Sequence, residues 1–344
     1  MLETFARFGN HDSIAVWLVE DVMARKCIGQ LGWGDLAVSG RPSRRRDRLG
    51  EIAGLIDWGP FEAALSPIYA SRRGEPCYPP LAMFKVLLLQ RWYQLSDPAM
   101  EEALFDRLSF RRFAGLALED DTPDHSTIFR FREQLTRREL AAPLLAELHR
   151  QLDGRGLLLK QGTLIDATLV QSAARRPRMD EDRQSPTDPD ARFGANNERR
   201  RYSFGYKLHV AVDAGSGLVR DLRVTPANVQ EVTQAAALIQ GDEQAVYGDR
   251  GYDAEALHRL LVERGIADGI MRRNHRNRKL APAEVARNHA LSRPRRAVEK
   301  LFGTLKRSYR LGRAPHFNLA RNTTALALAC FAFNLRRWQA IATP

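Results

Sequence analysis

Three acidic side chains, far apart along the chain, are the residues best suited to doing chemistry together. Asp166 sits in Thr163-Leu164-Ile165-Asp166-Ala167-Thr168-Leu169-Val170, a β-branched and aliphatic run after Gly162 that reads as a strand. Its apolar neighbours imply burial, and a buried carboxylate has to be neutralised, paired or bound to a metal. A structural ion pair to one of the many arginines is its plainer use. Asp249 ends a second such run, Ala245-Val246-Tyr247-Gly248-Asp249, before the turn Arg250-Gly251-Tyr252. Strand ends are where α/β sheets place functional groups, although a loop aspartate can also simply bond its own backbone. Glu299 belongs to a third block, Arg295-Arg296-Ala297-Val298-Glu299-Lys300-Leu301-Phe302-Gly303-Thr304-Leu305-Lys306. Read as a helix, that block brings Arg295, Glu299 and Lys306 within about 40° of one another. Beside them Val298, Leu301, Phe302 and Leu305 form an apolar stripe that would face a core. The bland reading of the polar face is a solvated i, i+4 ion pair between Arg295 and Glu299.

Two strand-borne aspartates and a helix-borne glutamate can hold two Mg²⁺ ions roughly 4 Å apart, one activating an attacking water or 3′-hydroxyl, the other stabilising the leaving oxygen. Hard oxygen ligands are what Mg²⁺ takes, a phosphodiester filling the remaining positions, and Mn²⁺ is the natural substitute. Asp249 lies 83 residues after Asp166, and Glu299 another 50 further on, so only a fold can assemble such a site. The histidines show no ligand spacing, and His209 in Lys207-Leu208-His209-Val210 reads as a hydrogen-bonded strand residue. There is no glycine-rich phosphate loop, so no nucleotide cofactor is expected.

On these residues the chain resembles the DDE transposases of bacterial insertion sequences, of the IS-five type in the IS-four superfamily. The matching motifs are Leu164-Ile165-Asp166-Ala167-Thr168, Tyr247-Gly248-Asp249-Arg250-Gly251-Tyr252 and Arg295-x3-Glu299-x6-Lys306. Where the family signature carries a tyrosine three residues before its arginine, this chain has Ser292. Tyr78-Pro79-Pro80 and the run from Phe84 to Tyr93 look like the family's N-terminal helical region, and the likeness extends from about Gly29 to Arg337. It implies catalytic, metal-holding roles for Asp166, Asp249 and Glu299, and charge-stabilising or phosphate-gripping roles for Arg295 and Lys306.

The charge balance points the same way. Lys and Arg outnumber Asp and Glu by 53 to 41, a net charge of +12, which favours polyanionic partners, and arginine suits phosphate. Cys27, Cys77 and Cys330 are widely separated, which indicates neither a disulfide framework nor a zinc site and fits a reducing cytoplasm; the resemblance implies a bacterial one, with the protein at the nucleoid. No signal peptide is evident, and Ala325 to Ala332, though strongly apolar, is too short to span a bilayer. It reads as a buried C-terminal helix, and no membrane association is expected.

The elements that must position the trio divide the chain. Residues 1–28 precede the family likeness and read either as a genuine short extension or, the favoured reading, as upstream sequence from a misplaced start. From 29 to 152 the pattern is helical: one helix from Pro79-Pro80 through Leu95, one capped by Ser96 through Leu108, one begun by Asp124 or Ser126. In the last, Ile128, Phe131 and Leu135 make the apolar stripe, leaving Arg130 and Arg132 outside it for DNA. A helix-turn-helix-like unit reading a DNA end and an ordinary helical bundle are both compatible with this region. From 157 to 344 strands are expected at 163–170, 206–213, 218–225, 245–249 and 268–272. Helices are expected near 229–240 and from Ala254 to Arg264, the latter N-capped by Asp253. This is an α/β, ribonuclease-H-like order with a mixed sheet, as the resemblance also implies. Residues 173–203, polar and without apolar periodicity, read as a mobile loop. The basic run with Arg272, Arg273, Arg276 and Arg278 precedes the Glu299 helix and is expected to contact DNA backbone.

The sequence therefore reads as a transposase that cuts double-stranded DNA at the terminal inverted repeats of its element and joins the freed 3′-hydroxyl to target DNA. Joining two ends calls for a homodimer or larger assembly on DNA. A ribonuclease-H-like nuclease that only hydrolyses, and an inactive DNA-binding repressor, are the rival readings.

Overall fold

Near residue 160 the spacing of apolar residues changes from helical to alternating, and the architecture changes with it. The computed structural model describes residues 25–32, 35, 46–69, 76–178, 184–196, 201–274 and 279–343. The helical part comprises α1 (Arg48–Leu55), α2 (Gly59–Leu65), α3 (Pro80–Tyr93), α4 (Asp97–Asp106), α5 (Leu108–Ala114), α6 (His125–Arg137) and α7 (Ala141–Gly154). The caps follow the sequence: Ser96 accepts from the Ala99 N–H to start α4, and Asp124 from the Thr127 N–H to start α6. Prolines occupy the first turns of α3 and α4, where a missing N–H costs nothing.

The sheet contains β1 (Thr163–Gln171), β2 (Arg192–Asn196), β3 (Arg201–Asp213), β4 (Val219–Pro226), β5 (Ala245–Gly248) and β6 (Ala267–Ile270). β1 is central, antiparallel to β3 on one side and parallel to β5 on the other, and β5 continues parallel to β6. The far edge of β3 is shared, β2 pairing with its first residues and β4 with its later ones. Sequential antiparallel strands beside a parallel pair are the expected ribonuclease-H-like order. At the handover Gly205 has φ +152°, and a Cβ there would run into the Val170 carbonyl oxygen, so only glycine fits. The remaining helices are α8 (Val232–Leu238), α9 (Glu255–Glu263), α10 (Pro282–Leu291), α11 (Arg296–Ser308) and α12 (Leu319–Ala342). No helix of the described residues is long and apolar enough to cross a membrane.

One face of the sheet is covered by α8 and α9, whose Ala235, Leu238, Leu257 and Leu261 pack with Ile165, Val246 and Ile270. The other face shares a single core with the helical part, and α12 makes the connection. Its residues are buried almost all round, from Asn322 to Gln339, as expected for an interior helix. Asn334 receives the Val219 N–H and donates to the Val219 carbonyl, binding the start of β4. The Trp92 indole N–H, 240 positions earlier, donates to the Ala332 carbonyl at 2.9 Å.

Three expectations need correction. The stretch 173–203 is not simply a loop, since it contains β2 and a buried anchor, Asp188, which accepts from Ser172, Tyr206 and the Asn318 N–H. Asp190 accepts from the Leu319 N–H, so a segment read as a mobile loop caps the start of α12; its apolar contribution was too sparse to show as periodicity. Asp253 does not cap α9, whose N-cap is Ala254; it accepts instead from the Arg273 N–H and the Arg272 guanidinium and pairs with His258. Arg132 is not available to DNA. It is 6% exposed and bonds Asp97 and Gln90 between α3, α4 and α6, whereas Arg130 faces solvent.

Removing Arg132 strands the Asp97 carboxylate, so Arg132→Ala is expected to cost about 2–3 kcal/mol of unfolding free energy, and Arg130→Ala less than about 0.5. Urea denaturation of the two variants checks this, and equal stabilities would refute the assignment.

Candidate active site

The parallel register between β1 and β5 sets the geometry. Thr163 pairs with Val246 and Leu164 with Tyr247; two residues further on stand Asp166 and Asp249. Adjacent strands are roughly 4.8 Å apart, so Asp166, inside β1, stands level with Asp249, the residue that follows β5. β5 stops at Gly248, and Asp249 turns the chain: its carboxylate accepts from the Gly251 N–H at 2.8 Å, opening a short 3₁₀ turn over Arg250–Tyr252. Asp249 is thus a turn aspartate as well as a strand-end one. A Cβ on Gly251 would meet the Asp249 Oδ1 at 2.9 Å and the Glu231 Oε2 at 3.5 Å. Glu231, just before α8, therefore reaches the same spot.

Asp166 is held from two sides. Its Oδ1 accepts from the Ala167 N–H at 2.8 Å, and its Oδ2 from Arg295 Nη2 at 3.2 Å. Only 14% of the Asp166 side chain and 19% of the Arg295 side chain is exposed, so the pair is largely desolvated. Burial pushes the Asp166 carboxyl up to about 6, Arg295 and the Ala167 N–H pull it down, and the negative charges of Asp249 and Glu231 push it up again. Tyr252 packs beneath, fully buried, its hydroxyl with no hydrogen-bond partner. Burial, and then the charges of Asp166, Glu231 and Asp249, raise it well above the ordinary tyrosine range.

Arg295 stands just before α11 rather than within it. The helix is seated by Val298, Leu301 and Leu305, each no more than 1% exposed, a burial of about 1.5–3 kcal/mol per side chain, and it packs on β1. Arg295 spends its guanidinium on Asp166, not on Glu299. Glu299 is exposed on the first turn, with Lys306 exposed near the last. Among the described residues no three His, Cys, Asp or Glu side chains stand close enough to hold a metal ion. Asp166 and Asp249 are therefore brought together, while Glu299 is carried beside them without joining them.

Of the basic residues, Arg273 is exposed, and Arg272 is tied to Asp253 and Asp268 at 3.2 and 3.4 Å. Arg276 and Arg278 lie outside the described residues, as do residues 1–24. His209 is a buried strand residue bonded to Thr225 at 2.8 Å, as expected. Burial, with Lys207 beside it, holds its imidazole down at about 4, so it is neutral at pH 7.

Glu231, its partner Lys207 and Tyr252 were not foreseen. Lys207 Nζ lies 3.3 Å from Glu231 Oε1 and donates to the Val229 carbonyl at 2.9 Å. Glu231 lies in the polar stretch between β4 and α8, and reading a helix from 229 placed it inside that helix.

The donor set suits a hard divalent cation: carboxylate oxygens, with a buried hydroxyl lacking a partner nearby. Because the folded pKa of Asp166 lies above the unfolded value of 3.8, its contribution to stability is present below about pH 4 and is lost as pH rises through about 6. Metal-free protein is expected to lose about 2–3 kcal/mol over that window relative to Asp166→Asn. Urea unfolding at several pH values measures the difference, and a flat one would sink the assignment.

Two family models match the chain: Transposase DDE domain, over residues 158–335, and Transposase domain (DUF772), over residues 39–134. Among solved structures, a piggyBac transposase synaptic complex with hairpin DNA overlaps 88% of this chain and 77% of its own, at 11% identity and a TM-score of 0.42. A pre-cleavage Mos1 transpososome overlaps 77% and 98%, at 12% identity and 0.19. At those scores neither lends a residue role to this site.

Proposed function

The chain belongs to the transposase DDE-domain family, and from that premise we infer that Asp166, Asp249 and Glu299 are the carboxylates with which this DNA transposase cuts and rejoins DNA. The observation that carries the reading is the level placement of Asp166 on β1 and Asp249 just after the adjacent β5, with the helix bearing Glu299 anchored to Asp166 through Arg295. Asp166 and Asp249 would hold the divalent ion. Mg²⁺ commonly binds through one or two carboxylates and completes its shell with water and substrate phosphate, so two protein ligands are enough to begin with. Two such ions, when bound, lower the pKa of the attacking hydroxyl and stabilise the leaving oxygen. Glu299 is the third carboxylate, on a helix whose start already touches the site.

The protein's own groups do the rest. Arg295 neutralises Asp166 in the DNA-free state, and its guanidinium is suited to a phosphate's oxygens. Lys306 presents a second cation on the same helix, and Arg273 and Arg130 add backbone contacts that strengthen binding without reading sequence. The substrate is double-stranded DNA at the element's terminal inverted repeats, and the joining of two ends requires a homodimer or larger assembly.

Asp249→Asn and Glu299→Gln are each expected to lower end cleavage at least about 10³-fold while leaving DNA affinity within about threefold. A donor end carrying a 3′-hydroxyl, incubated with plasmid target, should give strand-transfer products with the wild type. Nicks without joined products would reassign the protein as a hydrolytic nuclease, and full cleavage by Asp249→Asn would overturn the site.

A further inference from the structure

Glu231 belongs to no motif discussed above, yet its carboxylate comes to the turn that carries Asp249. It immediately precedes α8, Asp249 follows β5, and Asp166 lies inside β1 between β3 and β5. A buried lysine fixes its orientation: Lys207, 8% exposed, holds Oε1 at 3.3 Å, while Oε2 approaches the turn that Asp249 caps. A glutamate needed only to pair with Lys207 would have no reason to bring its other oxygen to the Asp249 turn. Such crowding of negative charge is costly. A second feature shows what would relieve it. The Tyr252 hydroxyl is buried, has no hydrogen-bond partner, and lies near enough to Asp166, Glu231 and Asp249 for their charges to act on it. A hydroxyl so placed fits the water shell of a hydrated cation.

We propose that Glu231, clamped by Lys207, is a further carboxylate of the divalent-cation site, acting through the cation's bound water between Asp166 and Asp249, with the Tyr252 hydroxyl as its neighbour in that contact. This rests on the assignment of Asp166 and Asp249 to the metal. Mg²⁺ and Mn²⁺ retain several waters when bound by few carboxylates, so a third carboxylate just beyond direct reach still contributes attraction and orientation. It is a positioning residue: it steadies the ion before DNA arrives.

The test is calorimetric titration of DNA-free protein with Mn²⁺. Glu231→Gln, with an unchanged circular dichroism spectrum and melting temperature, is expected to bind Mn²⁺ about tenfold more weakly, the lower end for partners that orient a metal site. Wild-type affinity in that variant overturns the proposal. Asp249→Asn separates the two readings: if it loses Mn²⁺ binding while Glu231→Gln keeps it, only the role of Glu231 falls. If both bind as wild type, the metal assignment itself fails. Should Glu231→Gln not fold, Mn²⁺-induced broadening of the Glu231 side-chain signal in ¹³C-labelled wild-type protein decides, and an unbroadened signal overturns the proposal.

Discussion

Negative charge gathered in a place that water barely reaches is the constraint around which the catalytic half is built. Asp166 and Asp249 stand level because β1 and β5 are parallel and in register, and Glu231 adds a third carboxylate nearby. In bulk water such charges would screen one another cheaply; partly desolvated, they raise each other's proton affinity. The fold offsets this with one guanidinium, Arg295, brought to Asp166 from 129 positions away, and with Lys207 behind Glu231. Both cations are delivered by elements whose seats are apolar, α11 by its Val298, Leu301 and Leu305 face and β3 by its place beside the central strand. Packing energy, which is indifferent to charge, thus holds an electrostatically unfavourable arrangement in being until DNA and metal arrive.

That arrangement explains which parts of the molecule were legible in the sequence. Asp166 and Asp249 could be read because each interrupts an apolar strand pattern, where a carboxylate has to have a reason. The strands themselves followed, with boundaries within a residue or two for β1, β4, β5 and β6. Glu299 could be read as the charged residue of an amphipathic helix, but its relation to the aspartates could not, because that depends on how α11 sits across β1. Glu231 was invisible for the opposite reason. It lies between a strand and a helix in a polar stretch, and nothing local distinguishes it from a solvated glutamate.

Arg132 shows the limit of periodicity for charged residues. A position off the main apolar stripe of α6 reads as surface, yet a neighbouring helix offers Asp97 and Gln90 at that spot, and the side chain is buried. Likewise Asp188 and Asp190 sit in a segment too polar to suggest order, and their carboxylates fasten the start of α12. Polar residues that organise a fold through specific bonds leave no periodic trace; only their partners, distant in sequence, give them away.

The path of α12 has a consequence for the order in which the molecule is made. Its apolar residues fill the space between the sheet and helices such as α3 and α7, which a ribosome emits long before them. Until those late residues arrive, Phe84, Trp92 and Leu148 lack part of their final surroundings, and the early helices cannot reach their finished packing. Completion of the helical part therefore waits for synthesis to pass the whole catalytic sheet. A shortened polypeptide lacking α12 would lose not a tail but the interior that its first half was built to enclose.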